Sequence, residues 1–502
     1  MARELHVDVV VAGGGPVGMV VAAELAGYGV STLVVEARAS VSRRPKATTL
    51  HARTVQSLVR RGHLGGLVSP SRPGTVPASS PFHFAGIPGL AISVPAMEPE
   101  PVLKCSQEEL ERHFEQRARS AGARILRGHR VTGVRQERGG VHITAEGPGG
   151  PVSCAAQYLV GADGARSTVR ERSGFASQSF PATVSAMAGD VSLGEKGVLG
   201  PGWHRTPRGW IVAKDVPGGR TRLRTLDCAG PHGDRNLTLT LEELREEVSR
   251  IAGRDVPMAA PQWLSRFSDF SRLARSYRSG RVLLAGDAAH VHFPIGGQGL
   301  STGLLDAVNL GWKLAFTVRG EAGEDLLDSY DQERRPAAQR VIDNTRAQVA
   351  LMRPDPGLDP LRALFGELLA GSGESGVLSS MISAQDTVLP VHTPRSAPWE
   401  GRFLPNVGLT TVHGRTDAIG LLREGRPMLL LLGEQHGRDY ESRARGWAGV
   451  LRVVRAEPTP DIPCDALLVR PDGYIAWAAG GADLTTVLTA CFGGPVGAGA
   501  GL

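Results

Sequence analysis

The chain has 502 residues, which is too long for one ordinary hydrophobic core and predicts two or three domains. With 41% hydrophobic and 21% charged residues it has a globular composition, and its 65 glycines favour an α/β fold with many tight turns. The net charge of +6 comes from 56 basic against 50 acidic residues without any run of five like charges, so nucleic-acid binding is not expected.

Cysteine usage and hydropathy argue against secretion and membrane insertion. Five widely spaced cysteines contain no C-x-x-C pair, so neither a disulfide framework nor a zinc site is predicted and a cytoplasmic location is expected. Acidic Glu4, Asp8 and Glu24 interrupt the apolar N-terminal stretch and argue against a signal peptide. No segment has eighteen uninterrupted apolar residues, so no membrane span is expected.

Residues 6–38 predict a strand, a glycine turn, a helix and a second strand. The turn is Gly13-x-Gly15-x-x-Gly18, and the second strand ends at Glu36. Gly13 permits the tight turn, Gly15 lets backbone approach a pyrophosphate, and Gly18 lets the helix pack on the sheet. Glu36 can accept hydrogen bonds from a ribose. The segment therefore predicts dinucleotide binding, and fold analogy favours FAD over NAD.

Two stretches, 73–104 and 176–278, consist of short alternating segments with Pro-Gly turns, which predict an antiparallel sheet. Within the second stretch, Thr240-x-x-Glu243 forms a capping box that predicts a helix to about Ile251. No catalytic acid or base is apparent in either stretch.

Residues 158–170 predict a strand that turns at Gly161-Ala162-Asp163-Gly164 into a helix. Asp163 and Ser167 can cap the turn locally, so a structural turn and a nucleotide contact both stay open on the residues alone.

Residues 283–314 predict a strand, a glycine-rich loop and a helix. Asp287 follows the strand, where a carboxylate suits a sugar hydroxyl. The loop from Pro294 to Gly299 holds three glycines, which let backbone approach a ligand closely. The N–H groups at the start of the next helix suit a negative charge. The stretch is therefore expected to hold a flat, partly anionic ligand.

The helix after this loop is predicted to be amphipathic. Its apolar side holds Leu304, Leu305, Val308, Trp312 and Ala315. The polar residues Asp306, Asn309 and Lys313 are expected on the opposite side.

His290 and His292 lie near Asp287 and raise the question of a metal site. No third histidine or cysteine ligand lies in sequence reach, so loop or packing histidines are preferred and no metal is expected.

The four prolines of residues 390–410 predict a domain boundary. After it, strands are predicted at 428–432 and 451–454. A hairpin is predicted at 466–477, because Pro-Asp-Gly is a sound turn signal. Without C-x-x-C this tail cannot perform dithiol chemistry.

Three such motifs in this order resemble the class A FAD-dependent monooxygenases, or aromatic hydroxylases. The run GDAAHVHFPIGGQGLSTGLLDAVNLGWKL is specific to the bacterial aromatic polyketide hydroxylases, which carry a thioredoxin-like C-terminal domain, and the similarity spans nearly the whole chain. The resemblance implies an α/β fold with a Rossmann-like FAD-binding domain of the glutathione-reductase and p-hydroxybenzoate-hydroxylase type. The implied domains are FAD-binding (1–72, 105–175 and 279–390), an inserted, mainly antiparallel β-sheet substrate domain (73–104 and 176–278), and a thioredoxin-like domain lacking C-x-x-C (391–502).

The resemblance also implies the cofactor site. Asp287 would bind the flavin ribityl chain, and the loop from Pro294 to Leu300 would lie along the isoalloxazine. The following helix would point its N-terminus at the flavin pyrimidine, where reduced flavin is anionic. Gln107 and Arg112 would lie near the FAD ribose and phosphates, and Asp163 would contact FAD or shape the NAD(P)H approach. The implied cofactor-binding residues are Gly13, Gly15, Pro16, Val17, Gly18, Glu36, Ala37, Arg44, Lys46, Gln107, Arg112, Asp163, Gly286, Asp287, Pro294, Gly297, Gln298, Gly299 and Leu300.

The residues implied as catalytic are Arg53, Pro294 and Gly297. Arg53, in LHARTVQ, matches a family arginine near the isoalloxazine and substrate, with a structural arginine as the alternative. Many relatives have another arginine shortly before it, whereas this chain has Lys46, which keeps the charge but loses bidentate geometry. The NADPH phosphate is therefore assigned only loosely to Arg44 or Lys46.

The implied reaction consumes NADPH or NADH and O2. Oxygen adds at flavin C4a, and the hydroperoxide hydroxylates a polycyclic aromatic, polyketide-type substrate. Baeyer–Villiger oxygenation of a ketone, oxygenative inactivation of an antibiotic and a non-catalytic flavin-binding scaffold are the alternatives. The chain is expected to act as a monomer or homodimer. Trp203, Trp210 and Phe267 are expected in the sheet over the substrate cavity, with core packing preferred to cavity lining.

Overall fold

A computed structural model of the chain describes residues 4–67, 76–194, 198–231, 237–371, 375–391, 393 and 395–495. The predicted domain boundary at 72/73 and the end of the tail, from 496 onward, lie outside these residues. Within the described ranges no helix combines the length and the hydropathy that a membrane crossing requires.

The described chain alternates short strands with helices of five to 28 residues. The helices are α1 (Pro16–Gly27), α2 (Ala52–Arg60), α3 (Gln107–Ser120), α4 (Thr168–Arg172), α5 (Leu241–Ala252), α6 (Gln298–Val318), α7 (Asp325–Met352), α8 (Asp359–Ala370), α9 (Ser375–Ile382), α10 (Ala418–Leu422), α11 (Glu434–Ala444) and α12 (Leu484–Phe492). The strands are β1 (Glu4–Ala12), β2 (Thr32–Glu36), β3 (Thr49–His51), β4 (Ala78–Phe84), β5 (Ile87–Val94), β6 (Val102–Lys104), β7 (Arg124–Arg127), β8 (Arg130–Glu137), β9 (Gly140–Gly147), β10 (Gly150–Gly161), β11 (Ser177–Phe180), β12 (Ser185–Leu193), β13 (Gly202–Thr206), β14 (Gly209–Val216), β15 (Arg220–Asp227), β16 (Met258–Ser268), β17 (Ser271–Ala274), β18 (Arg278–Ser279), β19 (Val282–Leu284), β20 (His290–Val291), β21 (Gly408–Thr411), β22 (Gly414–Asp417), β23 (Met428–Leu431), β24 (Arg452–Arg455), β25 (Ala466–Val469) and β26 (Ile475–Ala478).

The largest sheet brings the three predicted motifs to one edge. Its strand order is β18-β19-β10-β1-β2-β7, with β9 paired to β10 and β8 paired to β9. β1 runs parallel to β2 and β10, and β10 runs parallel to β19. The glycine turn follows β1, the Asp163 turn follows β10 and the Asp287 turn follows β19. Because carboxyl ends of parallel strands share an edge, all three turns meet at the crevice where such sheets bind ligands.

Helix α6 is buried on both of its sides. Asp306 and Lys313 are fully buried, and Asn309 is 4% exposed. These side chains contact polar groups of the turn after β19, of α7 and of the C-terminal domain instead of solvent. Periodicity places a polar residue on a helix face without showing what covers that face.

The stretch 176–278 supplies a five-stranded antiparallel sheet of order β13-β14-β15-β12-β16. The Thr240–Glu243 capping box forms, and α5 covers one face of the sheet, which confirms both predictions. Trp210 is 3% exposed and belongs to a core cluster, whereas Trp203 is 38% exposed and Phe267 is half-buried.

Two short strand pairs connect segments that were predicted to belong to different domains. β6, from the stretch 73–104, pairs with β3 of the FAD-binding segment, and β17 pairs with β20. Backbone hydrogen bonds therefore tie both of these stretches, 73–104 and 176–278, to the main domain.

The C-terminal part forms a four-stranded mixed sheet of order β24-β23-β25-β26, as expected for a thioredoxin-like domain. The predicted Pro-Asp-Gly hairpin is present between β25 and β26. Both predicted strands, at 428–432 and 451–454, also occur, each with a shift of one residue at one or both ends.

Candidate active site

The glycine turn leads from β1 directly into α1. Gly13 has φ +108°, and a Cβ there would lie 2.3 Å from the Ala162 carbonyl oxygen, so only glycine fits. A Cβ on Gly18 would lie 2.0 Å from the Gly13 oxygen. By contrast, a Cβ on Gly15 would meet no atom within 4 Å, and Gly15 begins α1 without a side-chain cap. The first N–H groups of α1 are therefore open to an anion.

Glu36 closes one side of this turn. Its Oε2 accepts a hydrogen bond from the Gly14 N–H at 2.5 Å, and its Oε1 accepts one from the Arg38 N–H at 2.8 Å. Glu36 and the following Ala37 are half-buried. A carboxylate has about four acceptor sites, so lone pairs remain for ribose hydroxyls.

The turns after β1 and β19 pack closely against each other because glycines leave room for a side chain. Gly286 has φ +60°, and a Cβ there would lie 3.1 Å from a methyl carbon of Val17. A Cβ on Gly303 of α6 would lie 2.8 Å from the same methyl carbon. Val17 thus fits between two glycines, which draws the start of α6 up to the start of α1.

Asp163 serves the local turn. The Ser167 hydroxyl donates to its Oδ1 at 2.5 Å, and the Val169 N–H donates to its Oδ2 at 3.1 Å. Burial raises the pKa of the Asp163 carboxyl, and these hydrogen bonds oppose the rise. The capping alternative is therefore present, and contact with FAD or NAD(P)H stays a prediction.

Asp287 follows β19 at the edge of the main sheet where the three turns meet, and this place is called the recess below. Its side chain is exposed, and among the described residues no protein group hydrogen-bonds to the carboxylate. The surrounding protein nevertheless removes enough bulk water to raise the pKa of Asp287, while the charges of His290 and Lys46 lower it. An accessible carboxylate without a protein partner fits the hydroxyl groups of a ribityl chain.

Asp306, which was expected on the polar side of α6, holds the Asp287 turn. Its Oδ2 accepts hydrogen bonds from the Gly286 N–H at 3.1 Å and from His290 Nε2 at 2.8 Å. Its Oδ1 accepts one from Arg334 Nε at 2.9 Å. Burial alone would raise the pKa of Asp306, but His290 and Arg334 lower it overall. The only sequence signal was a carboxylate inside an otherwise apolar helix.

The loop before α6 presents backbone. Gly296 and Gly297 have φ +73° and +64°, which favour glycine. The Gly296 carbonyl accepts a hydrogen bond from His51 Nε2 at 2.7 Å, and Gly297 begins α6 without a side-chain cap. Pro294 is exposed. The helix therefore offers its first N–H groups toward the recess.

The Gln298 side chain anchors α6 and does not face the recess. Its Oε1 accepts a hydrogen bond from Asn344 at 2.7 Å, and its Nε2 donates to the Ile382 carbonyl at 3.2 Å. With 2% exposure it can reach a cofactor only through its backbone. The next two residues, Gly299 and Leu300, are half-buried in the same turn.

Arg53 has the environment of a structural arginine. Its guanidinium donates to Gln56 Oε1 at 2.8 Å and to the Gln385 carbonyl at 2.9 Å, and it lies 3.9 Å from the ring centroid of Phe403. Arg53 is 8% exposed, and burial lowers its pKa. These contacts support the structural alternative, because they engage both terminal nitrogens of the guanidinium and one of its two flat faces.

Gln107 and Arg112 lie on α3 but differ in setting. Gln107 accepts a hydrogen bond from the Ala47 N–H at 3.4 Å, so it holds the segment before β3. Arg112 pairs with Glu108 at 2.5 Å and its side chain is 60% exposed, which leaves it at the surface. Arg44 is also exposed, as is Lys46 beside Ala47.

The two histidines of the motif have packing roles. His290 is 1% exposed and bonded to Asp306, and His292 Nδ1 donates to the Phe293 carbonyl at 2.9 Å. No group of three or more potential metal ligands occurs in the part of the chain that the structure describes.

Comparison with known proteins identifies the class. Residues 6–345 match the family described as FAD binding domain, and residues 397–495 match the aromatic-ring hydroxylase C-terminal domain. The chain therefore belongs to the FAD-dependent aromatic-ring hydroxylases, a family of flavin monooxygenases. The predicted family and fold class are confirmed.

The similarity to its relatives extends over nearly the full length of both chains. A protein of Streptomyces rimosus named 12-dehydrotetracycline 5-monooxygenase/anhydrotetracycline 6-monooxygenase is 38% identical over 98% of this chain and 100% of its own. A dialkyldecalin synthase of Streptomyces rugosporus is 37% identical over 97% and 98%. The solved structure of an anhydrotetracycline hydroxylase from Streptomyces rimosus superposes with a TM-score of 0.87 at 36% identity, covering 98% of this chain and 100% of that chain.

Proposed function

We propose that this chain is an NAD(P)H-consuming monooxygenase that uses FAD and O2 to hydroxylate a polycyclic aromatic, polyketide-type substrate. One observation carries the proposal. The carboxyl ends of three strands lie beside the first turns of α1 and α6, which both begin at glycine, beneath an antiparallel sheet. One recess thereby combines backbone donors for an anionic cofactor with a roof for a flat substrate.

The residues around the recess fit FAD in sequence. The open N-terminus of α1 at Gly15 suits the pyrophosphate, and Glu36 suits the adenosine ribose. The unpartnered carboxylate of Asp287 suits the ribityl hydroxyls. The loop at Gly297 and the first turn of α6 suit the pyrimidine end of the ring.

Bound FAD would accept a hydride from NAD(P)H and activate O2, which no side chain of the chain can do. The chain itself orients and stabilises. The uncapped start of α6 places N–H dipoles where negative charge develops, and the anchored side chain of Gln298 keeps that helix end fixed. Phe267 of the antiparallel sheet and Phe293 of the loop before α6, with ring centroids 5.8 Å apart, would exclude water from the space between them.

One relative favours a second candidate function. The dialkyldecalin synthase shares the full length of this chain at 37% identity. A synthase reaction that adds no oxygen to its product is therefore the competing proposal, and Baeyer–Villiger oxygenation differs from hydroxylation only in the ring structure of the product.

Labelled oxygen distinguishes these reactions. The FAD-loaded protein is incubated with NADPH, oxygen-18 gas and anhydrotetracycline, followed by a panel of aromatic polyketides, and products are analysed by mass and by NMR. Substrate-dependent NADPH oxidation with one labelled oxygen on an intact ring supports hydroxylation. An expanded lactone ring indicates Baeyer–Villiger chemistry, and conversion without label would contradict the monooxygenase proposal.

A further inference from the structure

The five-stranded sheet has two different faces. Residues directly opposite each other in antiparallel strands share a face, so Ile211, Leu223 and their neighbours form the face that packs on α5. The other face points at the main domain, where Phe267 contacts Phe293 and Trp210 Nε1 donates to the Met352 carbonyl at 2.6 Å. This second face is called the roof below.

The roof changes from apolar to basic along its strands. Trp210 and Leu226, which are paired and buried, lie at the end nearest the loop before α6. The next pair on the same face is Val212 with Arg224, and the pair after it is Lys214 with Arg222. Arg224 and Lys214 are exposed. A flat molecule lying on the apolar end would therefore direct its far end toward cations.

Most of this positive charge is uncompensated. Asp190 lies opposite Arg222 and is bonded to it at 2.7 and 2.8 Å. In the described ranges no carboxylate comes within ion-pair distance of Arg224 or Lys214. The side chain of Arg224 remains accessible, but the surrounding protein displaces bulk water from it, and this desolvation and then repulsion by Arg222 lower its pKa, while Asp190 opposes the effect.

A third cation comes from the opposite wall. Lys104 ends β6 and donates from Nζ to Thr49 Oγ1 at 3.0 Å. Thr49 adjoins the loop before α6, because a Cβ on Gly297 would lie 3.8 Å from Thr49 Cβ. Burial and then the charge of Lys214 lower the pKa of Lys104. Ring contacts place Lys104 beside the roof, because its Nζ lies near Phe82, Phe82 stacks on His83, and the His83 ring centroid lies 4.5 Å from that of Trp203. The described residues place no carboxylate at ion-pair distance from Lys104.

Aromatic rings lie beside Lys104 and on the roof. Lys104 Nζ lies 6.0 Å from the ring centroid of Phe82, which stacks on His83 at 4.8 Å. Trp203, opposite Val212 on the roof, is 38% exposed. Flat apolar surfaces beside unpaired cations are complementary to a planar molecule that carries a negative charge.

We propose that Arg224, Lys214 and Lys104 form an anion subsite for the substrate, which therefore carries a group ionised at neutral pH, a carboxylate or an acidic enol, at the end remote from the reacting ring. The inference rests on the proposed function, since it names a property of the substrate of that site. Like charges placed together without partners lower stability, and a bound anion removes that cost.

The test compares two probes on FAD-loaded protein without NADPH. One is a dihydroxyanthraquinone carrying a carboxylate, and the other carries a methyl group in its place. Binding is followed by the change in flavin absorbance. The wild type is expected to favour the carboxylate, and Arg224→Gln and Lys214→Gln are each expected to reduce that preference about tenfold. Arg245→Gln removes one charge from α5, behind the roof, and should leave the preference unchanged.

The phosphates of NADPH are the other source of negative charge. The NADPH concentration for half-maximal flavin reduction is therefore measured for the same variants, and it should stay within about twofold. Loss of NADPH affinity with an unchanged carboxylate preference overturns the proposal, as does a wild type that binds both probes equally or neither. Because the binding assay involves no turnover, absence of oxygenated product counts against the proposed function only.

Discussion

His51 is a buried side chain beside the loop before α6, and its protonation depends on pH. The residue is 1% exposed, its Nε2 donates to the Gly296 carbonyl, and its Nδ1 has no hydrogen-bond partner. Burial lowers its pKa to about 4, the Gly296 hydrogen bond opposes this, and Lys104 adds to it. The imidazole is therefore neutral in the folded protein at any pH above about 4.

We expect His51 to make the protein sensitive to mild acid. In the unfolded chain the histidine binds a proton near its ordinary pKa of 6.5, whereas in the folded chain it does so only near 4. The unfolded state thus holds more protons between these values. The contribution of His51 to the free energy of unfolding is fully present above pH 6.5. It falls as the pH drops toward 4, by up to ~3 kcal/mol.

Urea unfolding at a series of pH values measures this effect. His51→Gln keeps an N–H donor for Gly296 but cannot titrate, so its stability should fall less between pH 6.5 and 4. His142→Gln, at a side chain that is 39% exposed, serves as control and should follow the wild type. Equal slopes for His51→Gln and the wild type would contradict the assignment.

At the scale of elements, α1 and α6 matter through their first turns. Both begin at glycine, without a side-chain cap, at the same edge of the main sheet. Two glycines of the turn between β1 and α1 differ in what surrounds them. A Cβ at Gly13 collides with backbone, whereas a Cβ at Gly15 points into open space.

This difference separates folding from cofactor binding. Gly13→Ala should lower the melting temperature of the protein even without FAD, because positive φ and the Ala162 oxygen both exclude a side chain. Gly15→Ala should leave the apoprotein melting temperature unchanged but weaken FAD binding about tenfold, since its methyl group occupies the approach to the α1 N-terminus. Thermal unfolding of apoprotein and FAD titration measure both. Unchanged FAD affinity in Gly15→Ala would contradict the placement of the pyrophosphate at this turn.

For the whole molecule, a buried ionic cluster joins the C-terminal domain to the main domain. Glu333 of α7 pairs with Lys313 of α6 at 2.8 Å and with Arg470 of the C-terminal hairpin at 2.7 Å. Arg470 also pairs with Asp472 at 2.6 Å, and Asn309 donates to both carboxylates. The hairpin thus completes the charge balance of the helix that begins at the recess, which gives the domain a structural role without dithiol chemistry.

Removing the shared carboxylate should uncouple this arrangement. Glu333→Gln leaves the two buried cations, Lys313 and Arg470, with one carboxylate instead of two, and the free energy of unfolding should fall by about 3–5 kcal/mol. Urea unfolding with excess FAD measures the change. Glu321→Gln, which breaks a more exposed pair with Arg319, should cost no more than about 1 kcal/mol. A comparably small loss in Glu333→Gln would show that the cluster does not couple the domains.

The sequence by itself determined the local chemistry of the motifs. Glycines at 13 and 18, the capping box at Thr240 and the hairpin at Pro471 each follow from what one short stretch of backbone permits. Those signals are local, so the sequence suffices to place them.

Only the tertiary structure decided the partners. The roles of Asp306 beneath Gly286, of Arg53 against Phe403 and of Lys104 against Thr49 depend on segments far apart in the chain. Periodicity can assign such a side chain to a face of its helix, but the free energy of a buried charge depends on what covers that face, and this becomes fixed only when the domains pack.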